Sequence, residues 1–231
     1  MTAMAYDFVA DGLCYSINAD GESVVVTYEQ QASPRYTSLA GEVVIPRTVS
    51  DGETTYVVNG IGDAAFRDCT DITSVVVGDA VATIGSNAFY CCISLTTVSV
   101  PRSITRINYA AFYGCSALTR FYTGVPDPSL WSIRSMVFLN VSSQMQLLVP
   151  PGTMDVWVEA RWNRSYNLAE WLYGDVNGDG EVNVTDYTLL ISHILSRELP
   201  TPMSYLAADV NGDGDINVTD ASRIVTLILS N

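Results

Sequence analysis

Lysine is absent from all 231 residues and histidine occurs once, so the cations are 11 arginines set against 25 carboxylates, a formal charge of −14. A chain so poor in positive charge is a bad partner for nucleic acid or anionic membrane, both of which are gripped through basic side chains. The single histidine, His193, sits on an expected helix as a surface or packing residue; it leaves no nucleophile–base pair to assemble, and no glycine-rich phosphate loop occurs. No run approaches the roughly 20 apolar residues of a membrane helix. Residues 1–10 carry neither a basic region nor an apolar run, so no signal peptide is read there, and the chain is expected to begin at a mature domain from which a leader has been removed. The five cysteines are odd in number and never spaced as CxxC, which argues against a zinc site and against a full disulfide framework.

What is present is a real core: 48% hydrophobic and 10% aromatic residues exclude a disordered chain and suffice for one medium domain plus a small one. The acidity is uneven. Residues 174–231 hold nine carboxylates and two arginines, a net −7, as much as the preceding 173 residues together. A cationic partner is expected near that tail.

The middle of the chain repeats. Ile61-Gly62-Asp63-Ala64-Ala65-Phe66 returns as Ile84-Gly85-Ser86-Asn87-Ala88-Phe89 and again as Ile107-Asn108-Tyr109-Ala110-Ala111-Phe112, each 23 residues on. Cys69, Cys92 and Cys115 share that offset, as do Ile72, Leu95 and Leu118, and Val75, Val98 and Phe121. Within a unit, a short helical turn such as Ser86 to Cys91 is expected to lead into an alternating strand such as Leu95 to Val100. So small a unit cannot bury its apolar face alone; stacked copies give one strand per coil and a continuous ladder of Phe, Cys and Leu inside. The outward strand positions Ser74, Val76, Thr97, Ser99, Arg120 and Tyr122 are read as either a ligand surface or ordinary solvated surface, with Thr97, Ser99, Arg120 and Tyr122 the ligand-surface candidates.

These columns resemble the BspA-like leucine-rich-repeat family, whose units read I-G-x-x-A-F-x-x-C-x-x-L-x-x-V-x-x-P. The segments Tyr6-Asp7-Phe8, Asp11-Gly12-Leu13 and Gly41 to Pro46 look like that family's N-terminal strands, and Leu147 to Thr153 like its closing strand and turn. Strand pairing between Gly124 and Met145, where the pattern lapses, is left open. The resemblance implies an α/β solenoid with a parallel sheet, and for that family an association with adhesion.

In the tail, Asp175-Val-Asn177-Gly-Asp179-Gly180-Glu181-Val182-Asn183-Val-Thr-Asp186 puts oxygen side chains at loop positions 1, 3, 5, 9 and 12, and Glu181 at position 7 offers its backbone carbonyl. A hard cation of calcium's size takes six to eight such oxygens, and glycine at position 6 permits the sharp turn. The pattern returns 34 residues later as Asp209, Asn211, Asp213, Asp215, Asn217 and Asp220, so two Ca2+ ions are expected, with Val182 paired to the twin loop. A helix follows each loop, Tyr187 to Ser196 and Ala221 to Ser230, with stripes Leu189, Leu190, Ile194 and Ile224, Leu227, Ile228; Pro200 and Pro202 weaken any helix leading into the second loop. Chelation should loosen so small a module.

This pairing of EF-hand-like loops with single helices resembles the type I dockerin. In that family the module plugs into a cohesin on a scaffold protein, and loop positions 10 and 11 help choose the partner; the resemblance points to Val184, Thr185 and their twins Val218 and Thr219. The expected organisation is a leucine-rich-repeat domain over 1–172, with N-terminal strands 5–46, regular repeats about 56–124 and a cap at 145–172, then an all-α dockerin-like domain over 173–231.

Three function classes follow. The first is a non-catalytic, bacterial, extracellular or cell-surface binding protein: the solenoid grips a host or matrix protein or a polysaccharide, and the tail docks it into an assembly of the polysaccharide-degrading kind. In the second, the tail is a calcium-set cap that docks on the solenoid through Trp162 to Tyr173, with no cohesin partner. The third, an accessory polysaccharide hydrolase, needs two carboxylates at about 5–10 Å, and the outward strand positions show no excess of acids. Trp131, Trp157, Trp162 and Trp171 are read as sugar platforms or, preferably, as cap and interdomain filling.

Overall fold

A computed structural model describes residues 6–33, 35–196 and 205–230. Fourteen strands precede the tail: β1 (Phe8–Ala10), β2 (Leu13–Ile17), β3 (Ser23–Thr27), β4 (Gly41–Ile45), β5 (Thr48–Ser50), β6 (Thr55–Ile61), β7 (Ile72–Val77), β8 (Thr83–Ile84), β9 (Thr97–Val100), β10 (Arg106–Ile107), β11 (Arg120–Thr123), β12 (Ser132–Ile133), β13 (Gln146–Val149) and β14 (Asn167–Glu170). The helices are α1 (Met154–Glu159), α2 (Val184–Ser196), α3 (Tyr205–Ala208) and α4 (Val218–Ser230).

The strands form two sheets. One runs β4-β7-β9-β11-β13-β14, parallel throughout. The other begins as the antiparallel meander β1-β2-β3, turns parallel at β3–β6, and continues through the two-residue strands β8, β10 and β12. Each coil therefore contributes two strands, where one was expected. The second is too short for a period of two to register in the sequence; only its buried Ile61, Ile84 and Ile107 betray it.

The expected helical turn is also replaced. Residues 86–91 turn without a helix, because Ala64, Asn87 and Ala110 take positive φ of 53°, 56° and 52°. That conformation breaks the intrachain helical bond and points alternate amides at the next coil: Asn87, Phe89 and Cys91 donate to the carbonyls of Tyr109, Ala111 and Tyr113 at 2.9, 2.7 and 2.8 Å. The turn is thus itself a ladder between coils.

Side chains stack in the same register. Phe66, Phe89 and Phe112 follow one another at 4.9 and 5.1 Å, and the stack extends at one end to Tyr36, 5.3 Å from Phe66, and at the other to Phe138, 5.8 Å from Phe112. The cysteine column is buried, and Cys92 and Cys115 donate their thiols to the Phe66 and Phe89 carbonyls, both at 3.1 Å. Burial pushes the Cys115 thiol up to about 12 and the Cys92 thiol well above its usual value, so this column is core. All five cysteines, Cys14 and Cys91 included, are free thiols.

The lapse between Gly124 and Met145 is a fourth coil lengthened by a 3-10 turn at Pro128–Leu130, with β12 paired to β10 as Arg106↔Ser132. Trp131, Trp157 and Trp162 close the open end, with centroids 5.2–5.7 Å apart. Replacing Phe89 in the middle of the stack by alanine leaves a cavity with little freedom to collapse; a loss of about 3–5 kcal/mol is expected, read as a lower denaturant midpoint at unchanged slope.

Candidate metal centre and its seat on the solenoid

The module's own core is small: Val176, Leu190, Ala208, Ala221 and Ile224, with Val182, Ile216 and the faces of α2 and α4 packed around them. Helix ends and loops therefore matter. Both helices start three residues earlier than expected, at Val184 and Val218, and the reason is a reciprocal cap. Asn183 Oδ1 accepts the Thr185 amide at 2.8 Å, while Asp186 Oδ2 accepts the Asn183 amide at 2.9 Å. The second loop repeats this with Asn217, Thr219 and Asp220 at 2.8 and 3.0 Å. These are capping boxes built on aspartate, and they give loop positions 9 and 12 a structural task beside any ligating one. The boxes were readable from the Asn-Val-Thr-Asp string.

Asp186 and Asp220 are wholly buried, and each also accepts the amide of position 3, Asn177 at 3.1 Å and Asn211 at 3.2 Å. Asp175 takes the amides of Asp179 and Gly180, both at 3.0 Å, and Asp209 those of Gly212, Asp213 and Gly214 at 2.8, 3.1 and 3.0 Å. Among the described residues no three His, Cys, Asp or Glu side chains form one cluster. Asn177, Asn183, Asn211, Asn217 and the carbonyls of Glu181 and Asp215 are the further oxygens that could serve a cation, while the Glu181 and Asp215 side chains are exposed to solvent. Burial pushes the carboxyls of Asp175 and Asp209 up, the amides of Gly180 and Gly214 pull them down, and Asp186 and Asp220 across the loops add to the rise. Buried carboxylates facing one another with only amide partners cost several kcal/mol. A divalent cation held by hard oxygens offsets that cost, so the donor set fits calcium.

Val182 and Ile216 pack side by side with the small core and form no strand pair among the described residues. The short helix α3 precedes the second loop; Pro200 and Pro202 lie outside the described residues. Val184 and Val218, at the first turns of α2 and α4, are 66% and 65% exposed, and Thr185 and Thr219 are exposed beside them.

The ligand-surface candidates are a correction. Ser99 and Tyr122 are each only 5% exposed, Ser74 and Val76 are buried too, and Thr97 and Arg120 are half-buried: the C-terminal module packs on Tyr122 and flanks Val76 and Ser99, while Ser74 donates to Glu42 at 3.3 Å. Tyr122, Trp171 and Ala207 make one buried cluster with Leu148 and Leu206. Trp171 Nε1 donates to the Thr123 carbonyl at 3.1 Å, the Gly174 amide donates to the Ala207 carbonyl at 2.8 Å, and Leu206 lies over Gly124. A cleft of about 380 Å³ remains beside the contact, between Asp79, Arg102, Pro126 and Tyr173 and the second loop. The four tryptophans are thus cap and interdomain filling. His193 is half-buried on α2, and burial lowers its pKa.

A solenoid of parallel coils carrying a duplicated loop–helix module defines a leucine-rich-repeat protein with an appended two-loop domain. Residues 50–160 match the BspA type leucine rich repeat region in six copies, and residues 173–229 match the dockerin type I domain. The chain joins a BspA-type leucine-rich-repeat region to a type I dockerin domain, both of them non-catalytic kinds of domain. It is similar to a leucine rich cell surface protein of Faecalibacterium prausnitzii, at 28% identity and TM-score 0.47, over 63% of this chain and 37% of that one. It is similar also to a leucine-rich repeat protein of Bacteroides capillosus, at 25% identity and TM-score 0.49, over 61% of this chain and 96% of that one. A third, from Bacteroides ovatus, has 24% identity and TM-score 0.47, over 63% and 38%. No curated protein matches the chain.

Trp171→Phe keeps an aromatic ring, though a smaller one, and strands the buried Thr123 carbonyl, at an expected cost of about 1–3 kcal/mol to the seating of the module. Calorimetry should show the module's transition moving down in temperature while that of the solenoid stays.

Proposed function

We propose that this is a non-catalytic extracellular or cell-surface binding protein whose C-terminal domain, residues 173–231, docks it onto a cohesin-type partner in a calcium-dependent way, with the domain of residues 1–172 as the cargo so displayed. The observation that carries this reading is the twin pair Val184–Thr185 and Val218–Thr219: apolar and hydroxyl side chains left exposed at equivalent helix starts of the module. Two calcium ions, one per loop, are held by Asp175, Asn177, Asp179, Glu181 (carbonyl), Asn183 and Asp186, and by Asp209, Asn211, Asp213, Asp215 (carbonyl), Asn217 and Asp220. The match to the dockerin type I domain supports it, since such domains bind cohesins and typically carry calcium. An extracellular setting supplies calcium at the levels that loops of modest affinity need. Among the described residues no helix is long and apolar enough to cross a membrane.

The solenoid's own ligand, a host or matrix protein or a polysaccharide, has to be met by a surface other than the covered sheet face. A second reading, the tail as a calcium-set cap on a free-standing adhesin, is favoured by that same seating of Trp171, Ala207 and Leu206 on the sheet.

Two measurements separate these readings. Calcium at about 100 times its dissociation constant should raise the module's stability by about 2.7 kcal/mol per site, seen as a melting transition that chelator lowers and Asp186→Ala halves. The full chain should bind immobilised type I cohesin domains in calcium, lose them in chelator, and lose them in calcium when Val184, Thr185, Val218 and Thr219 are replaced together by charged residues. A calcium-shifted melt with no cohesin bound from a broad panel would leave the cap reading standing.

A further inference from the structure

The two loops are alike in sequence and unlike in surroundings. Gly178 and Gly212 hold the same loop position with φ of 72° and 73°, yet a β-carbon at Gly178 would stand 2.9 Å from Tyr122 Oη and 3.1 Å from Arg120 Nη1, whereas one at Gly212 would meet nothing within 4 Å. Gly180 and Gly214, with φ of 91° and 89°, reverse the contrast: the first is open, and a β-carbon at the second would stand 2.7 Å from Asp79 Oδ2. Each loop thus touches the solenoid through a different glycine. Tyr122 is buried in one cluster with Trp171 and Ala207, and Ser99 lines a small cleft with Leu206, Asp209, Gly214 and Ile216 of the module.

We propose that the outward face of the solenoid sheet is the seat of this chain's own C-terminal module, and that ion binding in the loops and docking on the sheet reinforce each other, so that calcium holds the face closed and its withdrawal opens it. The inference rests on the calcium reading above. Its physical basis is that the surfaces touching the sheet are the loops themselves: a cation that fixes the loop backbone fixes the docking surface, and a seat that fixes the loop backbone prepares the ion site.

Charge could work against this. Arg120 beside the first loop attracts its carboxylates more strongly before an ion binds than after. Arg120 is itself half-exposed, and charges so placed shift equilibria by about a few-fold at most. At the second loop the sign is reversed, since Asp79 adds a carboxylate beside Asp209 and Asp213, and an ion relieves the repulsion; Arg47, ion-paired to Asp79, tempers this. Ordering of the two loops therefore decides, and the coupling is positive.

The test uses the full chain. Ser99→Cys places a thiol under the module; in the parent chain only Cys91 is more than marginally exposed, so labelling of the parent sets the background. In calcium the introduced thiol should react at least about five-fold more slowly than in chelator, the low end of ordinary coupling. Gly178→Ala should weaken calcium uptake measured by calorimetry, and speed Ser99→Cys labelling in calcium, by at least about five-fold relative to Gly212→Ala, which carries the same backbone strain without the contact. Tyr122→Ala, which removes the seat and not the loop, should move both readouts in the same direction. Labelling independent of calcium, or equal calcium affinity in the Gly178 and Gly212 variants, overturns the coupling while leaving the calcium loops intact. Absence of calcium uptake by the parent chain overturns the reading beneath it, and the calorimeter reports that separately.

Discussion

The constraint on which the solenoid depends is coil-to-coil register. A unit of about 23 residues has no interior of its own; its Phe, Cys and Ile side chains become buried only when the next coil covers them. That cover also has to satisfy the turn's amides, which point along the stack because Ala64, Asn87 and Ala110 adopt positive φ. The backbone ladder and the aromatic stack thus fix the same offset from two sides. Slipping one coil by a residue would break the amide bonds and unstack the rings together. A lengthened coil is tolerated only where the added residues loop outward, as at Pro128–Leu130, and Phe138 then still reaches the stack.

The C-terminal module is built on the opposite principle. Its apolar core is a handful of side chains, and three carboxylates with their amide partners close each loop, Asp186 and Asp220 being as buried as any leucine in the chain. Such an arrangement is held by charge balance. Half of the chain's formal charge of −14 is concentrated in its last quarter, so a divalent cation bound there would relieve repulsion where it is densest. Seating on a rigid sheet contributes what the small core lacks, a fixed surface against which Leu206, Ala207 and Trp171 are removed from water.

Much of this was legible in the sequence because the strongest signals were repeats. The Phe, Cys and Leu columns, the 12-residue loops and the helix stripes each recur at fixed offsets, and repetition distinguishes a constraint from chance. What escaped notice did not repeat, or repeated at another spacing. Tyr36 and Phe138 join the aromatic stack from outside the 23-residue period, and the two-residue strands are too short to show alternation. The turn conformation was misread because Ala and Asn at positive φ are uncommon, and only coil-to-coil amide bonding makes them worthwhile. Tyr122 and Ser99 were read as outward, which is correct for the strand; that outward means covered is a fact about another part of the chain.

Duplication within the module sharpens that last point. Two loops that differ only as Glu181 against Asp215 and Val182 against Ile216 have nearly the same intrinsic chemistry, so the unlike contacts of their glycines come from the surface they face. The solenoid presents Arg120 and Tyr122 to one loop and Asp79 to the other. It thereby breaks a symmetry that the sequence alone leaves intact. Gly178 and Gly214 approach the sheet while the helix starts at Val184 and Val218 stay open, so the proposed metal and partner sites would sit on different faces of one small domain. Under the proposed docking such a domain would meet the solenoid through its loops and a partner through its helix starts, and loop and helix start are linked because Asn183, Asp186, Asn217 and Asp220 serve the loop and the helix cap at once.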